Sequence, residues 1–146
     1  LYTVGSMKDV PGMKKYVAVD GGMGDNIRPA LYQAQYTALV VNKFGAPVEE
    51  TVTIVGKYCE SGDVLIKGLP VPSLESGDTL AVLGTGAYNY TMSSNYNRFP
   101  RPATVLVENG HAHVLVQRET YDTIIQQDLI PAHLRKVAEA TVASAV

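Results

Sequence analysis

The sequence predicts a mainly β domain, a barrel or sandwich carrying a few short helices. Three observations lead there. Roughly six or seven short runs of β-branched and aromatic residues follow one another, each bounded by turn residues. Thirteen Gly, eight Pro and nine Tyr in 146 residues suit short strands joined by tight turns. Asn109-Gly110 stands between two of the runs, and Asn-Gly there is a strong hairpin signal. The length allows one domain, or one domain and a tail. Apolar residues at 46% and charged residues at 18% form an ordinary globular balance. Twelve basic against fourteen acidic residues leave a net charge of -2, which gives nucleic acid no basic field to bind. No apolar run approaches the ~20 residues of a membrane span. The single Cys59 cannot form an internal disulfide, and no cysteine cluster points to zinc or another metal. A reducing, cytoplasmic setting fits that cysteine count.

The elements follow in order. Leu1-Tyr2-Thr3-Val4 reads like the middle of a strand, as if the chain were cut from something longer, and no signal peptide is legible. Tyr16-Val17-Ala18-Val19 is a β-type run that ends at Asp20-Gly21-Gly22. Asp25 or Asn26 is placed to cap a short helix from Ile27 to Gln33, with Pro29 in its first turn. Tyr36 to Asn42 reads as a strand and Phe44 to Pro47 as a turn. Thr51-Val52-Thr53-Ile54-Val55 alternates like a half-buried strand. Asp63 to Lys67 is the next candidate, with Gly68, Pro70 and Pro72 expected to break it. Thr79 to Leu83 follows a Ser-Gly-Asp turn. Gly84-Thr85-Gly86-Ala87-Tyr88 then leads into a short helix, Asn89 to Ser94. Arg98 to Pro102 is expected to be extended, since two prolines forbid regular pairing. Thr104 to Val107 and His113 to Val116 make the hairpin. Residues 1–128 are read as the domain and 129–146 as a tail, Ala-rich and able to form a helix from Pro131.

Three segments carry chemistry. Lys57 to Asp63 packs a thiol, Cys59, and a carboxylate, Glu60, into one inter-strand loop, where a scaffold can hold them rigidly. Such a pair can exchange protons or recognise an ammonium group, or Cys59 can be a buried hydrophobe in a polar turn. Arg28 and Tyr32 sit four apart, on one helix face, where guanidinium and phenol together can grip a carboxylate. The alternative is a solvated arginine on an aromatic ring. The Gly84 to Tyr88 loop can offer backbone N–H groups and the Tyr88 hydroxyl to a phosphate, or it is a tight strand-to-helix turn. The seven lysines lie mostly among polar turns, and none sits in an obvious dry pocket suited to Schiff-base chemistry.

Taken in order, Val19-Asp20-Gly21-Gly22-Met23, Asp25 to Tyr32 with its Arg28-Pro29-Ala30-Leu31-Tyr32, Cys59-Glu60-Ser61-Gly62-Asp63 and Gly86-Ala87-Tyr88 closely resemble the diaminopimelate decarboxylase family. Tyr2 to Ser6, Pro11-Gly12, Asn95-Tyr96-Asn97 and Arg101-Pro102 fit the same family, so the resemblance covers about residues 1 to 128. It implies the C-terminal β-barrel, Greek-key-like domain of the alanine racemase and ornithine decarboxylase type. The pyridoxal 5′-phosphate-binding (β/α)8 barrel would be absent from this chain, and with it the Schiff-base lysine. By position the resemblance implies that Arg28 and Tyr32 bind a substrate carboxylate. Tyr88 would lie near substrate and cofactor. Cys59 and Glu60 would reach across a homodimer into the partner subunit's active site. There Glu60 would recognise the distal amino group, and Cys59 would take the role linked in related decarboxylases to protonating the carbanion carbon. Asp63 is expected to be structural.

The implied parent makes lysine and CO2 from meso-2,6-diaminopimelate, the last step of lysine biosynthesis, while this chain alone would be inactive and would not hold the cofactor covalently. Three other readings stand beside it. One is the same domain of an ornithine or arginine decarboxylase, which Arg28 disfavours, since a second substrate carboxylate calls for a cation. The others are a self-contained β-barrel that binds a small ligand or a partner, and a thiol enzyme using Cys59. If the fragment reading holds, an exposed apolar patch is expected where the missing domain and second subunit would sit.

Overall fold

The computed structural model describes residues 1–135. Six strands form one sheet: β1 (Tyr2–Val10), β2 (Lys14–Val19), β3 (Ala38–Val40), β4 (Glu50–Val55), β5 (Val64–Val71) and β6 (Thr79–Val82), in the order β3-β6-β1-β2-β4-β5. All neighbours are antiparallel except β2 and β4, which run parallel. The edge strands β3 and β5 come into contact, so the sheet curls nearly into a barrel, the architecture expected from the sequence. Helices α1 (Arg28–Tyr32) and α2 (Asn89–Met92) lie in connections, and α3 (Tyr121–Ile125) follows a separate hairpin of β7 (Thr104–Glu108) and β8 (His111–Val116).

Alternating apolar residues of the sheet converge on one core. Val4, Val17, Val52, Ile54, Val71 and Leu80 are its most buried aliphatic members. Each such side chain contributes roughly 1.5–3 kcal/mol of transfer free energy. A polar clasp closes the sheet beside it. The Asp78 carboxylate, 2% exposed, accepts from Asn42 Nδ2 at 2.7 Å, Lys43 Nζ at 2.9 Å and the Glu75 N–H at 2.9 Å. Val4 N–H donates to the Asp78 carbonyl at 2.8 Å, which ties the clasp to β1.

The sequence expectations hold for most elements, and their departures have physical reasons. Strand β5 runs on to Val71 through Gly68 and Pro70 instead of breaking. It is an edge strand, so the missing proline N–H costs no inner ladder bond. Its register against β4 shifts between Ile54↔Ile66 and Val52↔Leu69, a bulge that Gly68 accommodates at φ +67. Thr53 is buried although it lies on the face opposite Val52 and Ile54, so β4 is covered on both faces at this point. The strand expected over Tyr36 to Asn42 is three residues long and passes into a 3-10 turn, Val41–Lys43.

Neither Asp25 nor Asn26 is the N-cap of α1. That position is Ile27, without a side-chain cap, and Asp25 Oδ2 instead accepts from the Gly22 N–H at 3.0 Å. The segment expected to be extended from Arg98 begins in a left-handed turn, with Arg98 at φ +59, before Phe99 becomes extended. Lys15 and Lys43 are not simply solvated: they pair with Glu50 and with Glu75 and Asp78. The hairpin matches its expectation, with Asn109 and Gly110 both at positive φ, as a type I′ turn requires. Residues 132–135 are helical where a tail helix was expected from Pro131, and residues 136–146 of that expectation lie outside the described residues.

Candidate functional site

The first group of candidate residues gathers around α1. Pro29 presets the first turn, and Gln33 ends the helix at φ +56 with its N–H bonded back to the Arg28 carbonyl. The helix is therefore short, and it presents Arg28 half-buried at its start. The Arg28 guanidinium donates to Tyr36 Oη at 3.3 Å and lies 5.8 Å from the centroid of the Tyr88 ring. Among the described residues no carboxylate lies within salt-bridge distance of it, so donors remain for an anion from outside. An open groove of about 370 Å³ adjoins it, lined by Arg28, Tyr36, Thr37, Leu83 and Gly84.

Tyr32, 60% exposed, points into solvent and is not joined to Arg28 by a hydrogen bond. Tyr88 is 67% exposed and holds φ +70, an unusual backbone for a tyrosine. Its carbonyl accepts from the Met92 N–H at 2.9 Å and from Thr91 Oγ1 at 3.0 Å, so the one-turn helix α2 fixes it. A single turn carries little macrodipole, so the loop before it gains nothing as an anion cradle from the helix itself.

The second group is the loop between β4 and β5. Cys59 is a free, exposed thiol at φ +54. Glu60 beside it is exposed. Its carboxylate accepts from Ser61 Oγ at 3.1 Å and lies 3.5 Å from Tyr96 Oη. No hydrogen bond or ion pair within the described residues joins Cys59 or Glu60 to Arg28, Tyr32 or Tyr88. The candidate residues thus fall into two groups, one around α1 and one on the loop between β4 and β5.

Underneath that loop the packing is tight. Tyr58, 1% exposed, stacks on Tyr96 with centroids 5.9 Å apart and meets Phe99 edge-on at 5.2 Å. Asp63, 3% exposed, accepts from the Met23 N–H at 2.7 Å and the Tyr58 N–H at 2.9 Å. Burial raises its carboxyl pKa, and those two backbone bonds oppose the rise. A structural role for Asp63, expected from the sequence, is what this geometry describes. Tyr36, Asn97 and the aromatic stack were not anticipated. Tyr36 lies eight residues from Arg28, outside helical spacing, and a residue's left-handed turn, as at Asn97, leaves only a weak compositional trace.

Comparison with known proteins gives this arrangement its class. The model of the pyridoxal-dependent decarboxylase C-terminal sheet domain matches residues 1–86, and the chain belongs to that family. Among individual proteins, it is 61% identical over 129 residues to diaminopimelate decarboxylase of Bacillus subtilis (strain 168), which covers 88% of this chain and 29% of that protein. It is 50% identical over 133 residues to the diaminopimelate decarboxylase of Synechocystis sp., covering 91% of this chain and 28% of that one. The crystal structure of diaminopimelate decarboxylase from M. jannaschii in co-complex with L-lysine superposes with a TM-score of 0.82 at 36% identity, over 91% of this chain and 30% of that one. The chain therefore spans about three-tenths of the length of the relatives it matches.

The family's cofactor can be tested against the residues present. Among the described residues, Lys15 and Lys43 are engaged in ion pairs and Lys57 lies over the Phe99 ring at 4.5 Å; no lysine is buried. None of these described lysines stands in a dry pocket of the kind a covalent attachment uses. The free donors of Arg28 and the exposed Tyr88 hydroxyl do suit an anionic group on cofactor or substrate.

Proposed function

We propose that this chain is the C-terminal sheet domain of a diaminopimelate decarboxylase, a cytoplasmic homodimer that converts meso-2,6-diaminopimelate to L-lysine and CO2. The observation that carries this reading is the 61% identity to the Bacillus subtilis enzyme across 88% of the chain. Identity of that order, with no carboxylate within salt-bridge distance of Arg28 among the described residues, favours the diaminopimelate branch over ornithine or arginine decarboxylases, whose substrates bring no second carboxylate. Residues 1–128 are the domain and 129–146 its tail. The N-terminal (β/α)8 barrel supplies the Schiff-base lysine, so the domain alone is inactive.

Pyridoxal 5′-phosphate, bound in the parent, withdraws electrons from the substrate carbon that loses CO2. The work of this chain is binding, orientation and proton supply. Arg28 binds a substrate carboxylate bidentately, helped by Tyr32. Tyr88 packs beside Arg28 and offers its hydroxyl to cofactor and substrate. Cys59 and Glu60 stand exposed on their own loop, away from Arg28, as residues would that serve the partner subunit's site. Glu60 accepts from the distal ammonium of the substrate, and the Cys59 thiol holds a proton for the carbon from which CO2 has left.

A chimaera tests the reading. Residues 1–129 of this chain replace the matching segment of the Bacillus subtilis enzyme, and lysine formation is measured against decarboxylation of ornithine and arginine. Lysine formation from diaminopimelate is expected, with none from the isolated chain. A folded, dimeric chimaera that prefers ornithine or arginine, or that turns over nothing, would sink the proposal.

A further inference from the structure

We propose that Asp63 and Asn97 are positioning residues for the Cys59–Glu60 pair, holding the two peptide groups on either side of Tyr58 so that the next two residues stand in one fixed place. Asp63 Oδ2 accepts from the Tyr58 N–H at 2.9 Å, and Asn97 Nδ2 donates to the Tyr58 carbonyl at 2.7 Å. The second bond reaches the very peptide that links Tyr58 to Cys59. Asp63 Oδ1 accepts from the Met23 N–H at 2.7 Å, so one carboxylate bolts the loop to a segment forty residues away in sequence. Lys57 N–H adds a bond to the Gly21 carbonyl at 2.9 Å.

The seat for this carboxylate exists only because glycines surround it. A Cβ at Gly56 would lie 2.1 Å from Asp63 Oδ2, and one at Gly22 would lie 2.6 Å from both oxygens. A Cβ at Gly24 would lie 2.3 Å from Tyr58 Oη. Tyr58 is thereby fixed on its ring, its N–H and its carbonyl. Cys59, which follows it, carries a left-handed backbone that an untethered loop would relax. The tip is thus exposed while its root is tethered and closely packed, as a site residue borne on a loop requires.

This inference rests on the reading of Cys59 and Glu60 as active-site residues. The test compares Asp63→Asn, Asn97→Gly and, as a control, Asp78→Asn. Asp63→Asn keeps the shape but turns one acceptor oxygen into a donor that faces an N–H. Asn97→Gly removes the amide and keeps a residue at ease with φ +53. Asp78→Asn damages a buried carboxylate clasp of the same kind away from the loop. The alkylation rate of Cys59 by iodoacetamide is read in this chain, and kcat, KM and Tm are read in the full-length enzyme. Asp63→Asn and Asn97→Gly are expected to change the alkylation rate by about threefold or more and to lower kcat/KM about tenfold or more, chiefly through kcat. Asp78→Asn, at equal or greater loss of Tm, is expected to leave both near their starting values.

If Asp63→Asn and Asn97→Gly behave like Asp78→Asn in alkylation, the proposal is wrong. Should Asp63→Asn fail to fold, Asn97→Gly decides alone, since Asn97 is an exposed residue. Cys59→Ala separates the two layers of the argument. Full activity in that variant, together with shifted alkylation in the other two, would overturn the site reading and leave the tether standing.

Discussion

Among the described residues Arg28 makes one side-chain hydrogen bond, to Tyr36. That bond and its contact with the Tyr88 ring orient the guanidinium without neutralising it. Arg28→Lys retains the charge and loses the planar fork, so in the chimaera it is expected to raise KM for diaminopimelate roughly tenfold. Steady-state kinetics check this, and an unchanged KM removes Arg28 from substrate binding. A second expectation concerns packing. Gly24→Ala would drive a methyl group against the Tyr58 phenol and is expected to destabilise the chain by about 1–3 kcal/mol in urea denaturation. The candidate residues Arg28, Cys59, Glu60 and Tyr88 were legible because each sits in a short motif with chemical meaning. Their supports were not. Tyr36 and Asn97 meet their partners only through the fold, and no local spacing announces a contact between residues 58 and 97.

The hairpin is the element that the sequence announced most clearly, since Asn109 and Gly110 carry the two positive φ angles the turn needs. Gly110→Ala places a side chain at φ +78, a cost of about 1 kcal/mol. Faster hydrogen exchange is expected in β7 and β8, with no change in the six-stranded sheet. The base of the hairpin is held by Glu119, which accepts from the Arg101 side chain, from the Arg101 N–H at 2.9 Å and from Asn95 Nδ2 at 2.5 Å.

The Arg101 bond is the main cause that holds the Glu119 carboxyl down to about 2, from an ordinary value of 4.5. A carboxylate whose pKa is lower in the folded state adds stability above its unfolded value and loses it as pH falls through the folded one. The hairpin anchor is therefore expected to weaken between pH 4.5 and about 2, and Glu119→Gln to abolish that part of the pH dependence of exchange. Strand β5 shows where sequence signals stop. Gly68 and Pro70 read as breakers because a sequence does not reveal that its strand lies at an edge with a bulge. The short β3 reads long because its flanking residues are β-formers, while Asn42 and Lys43 are drawn aside to Asp78.

At the scale of the molecule, the β class and its near-closure follow from many short strands, yet the strand order does not, because pairing partners are far apart in sequence. The hairpin is paired apart from the sheet, and Val105, Val107 and Val114, which share one face by its register, are all exposed. Such surface promotes association in water. Sedimentation velocity of the isolated chain is expected to show concentration-dependent self-association, reduced by Val107→Asp with Val114→Asp; a strictly monomeric chain would contradict this.

The place of β1 has another bearing. It lies between β2 and β6, and Val4 is bonded to Asp78. A ribosome delivers β1 first and β6 some seventy residues later, so the central strand waits with one edge open until a long loop closes. Assembly of this sheet is thus a late event in synthesis. Deleting residues 1–10 would take out the strand around which the other five are arranged.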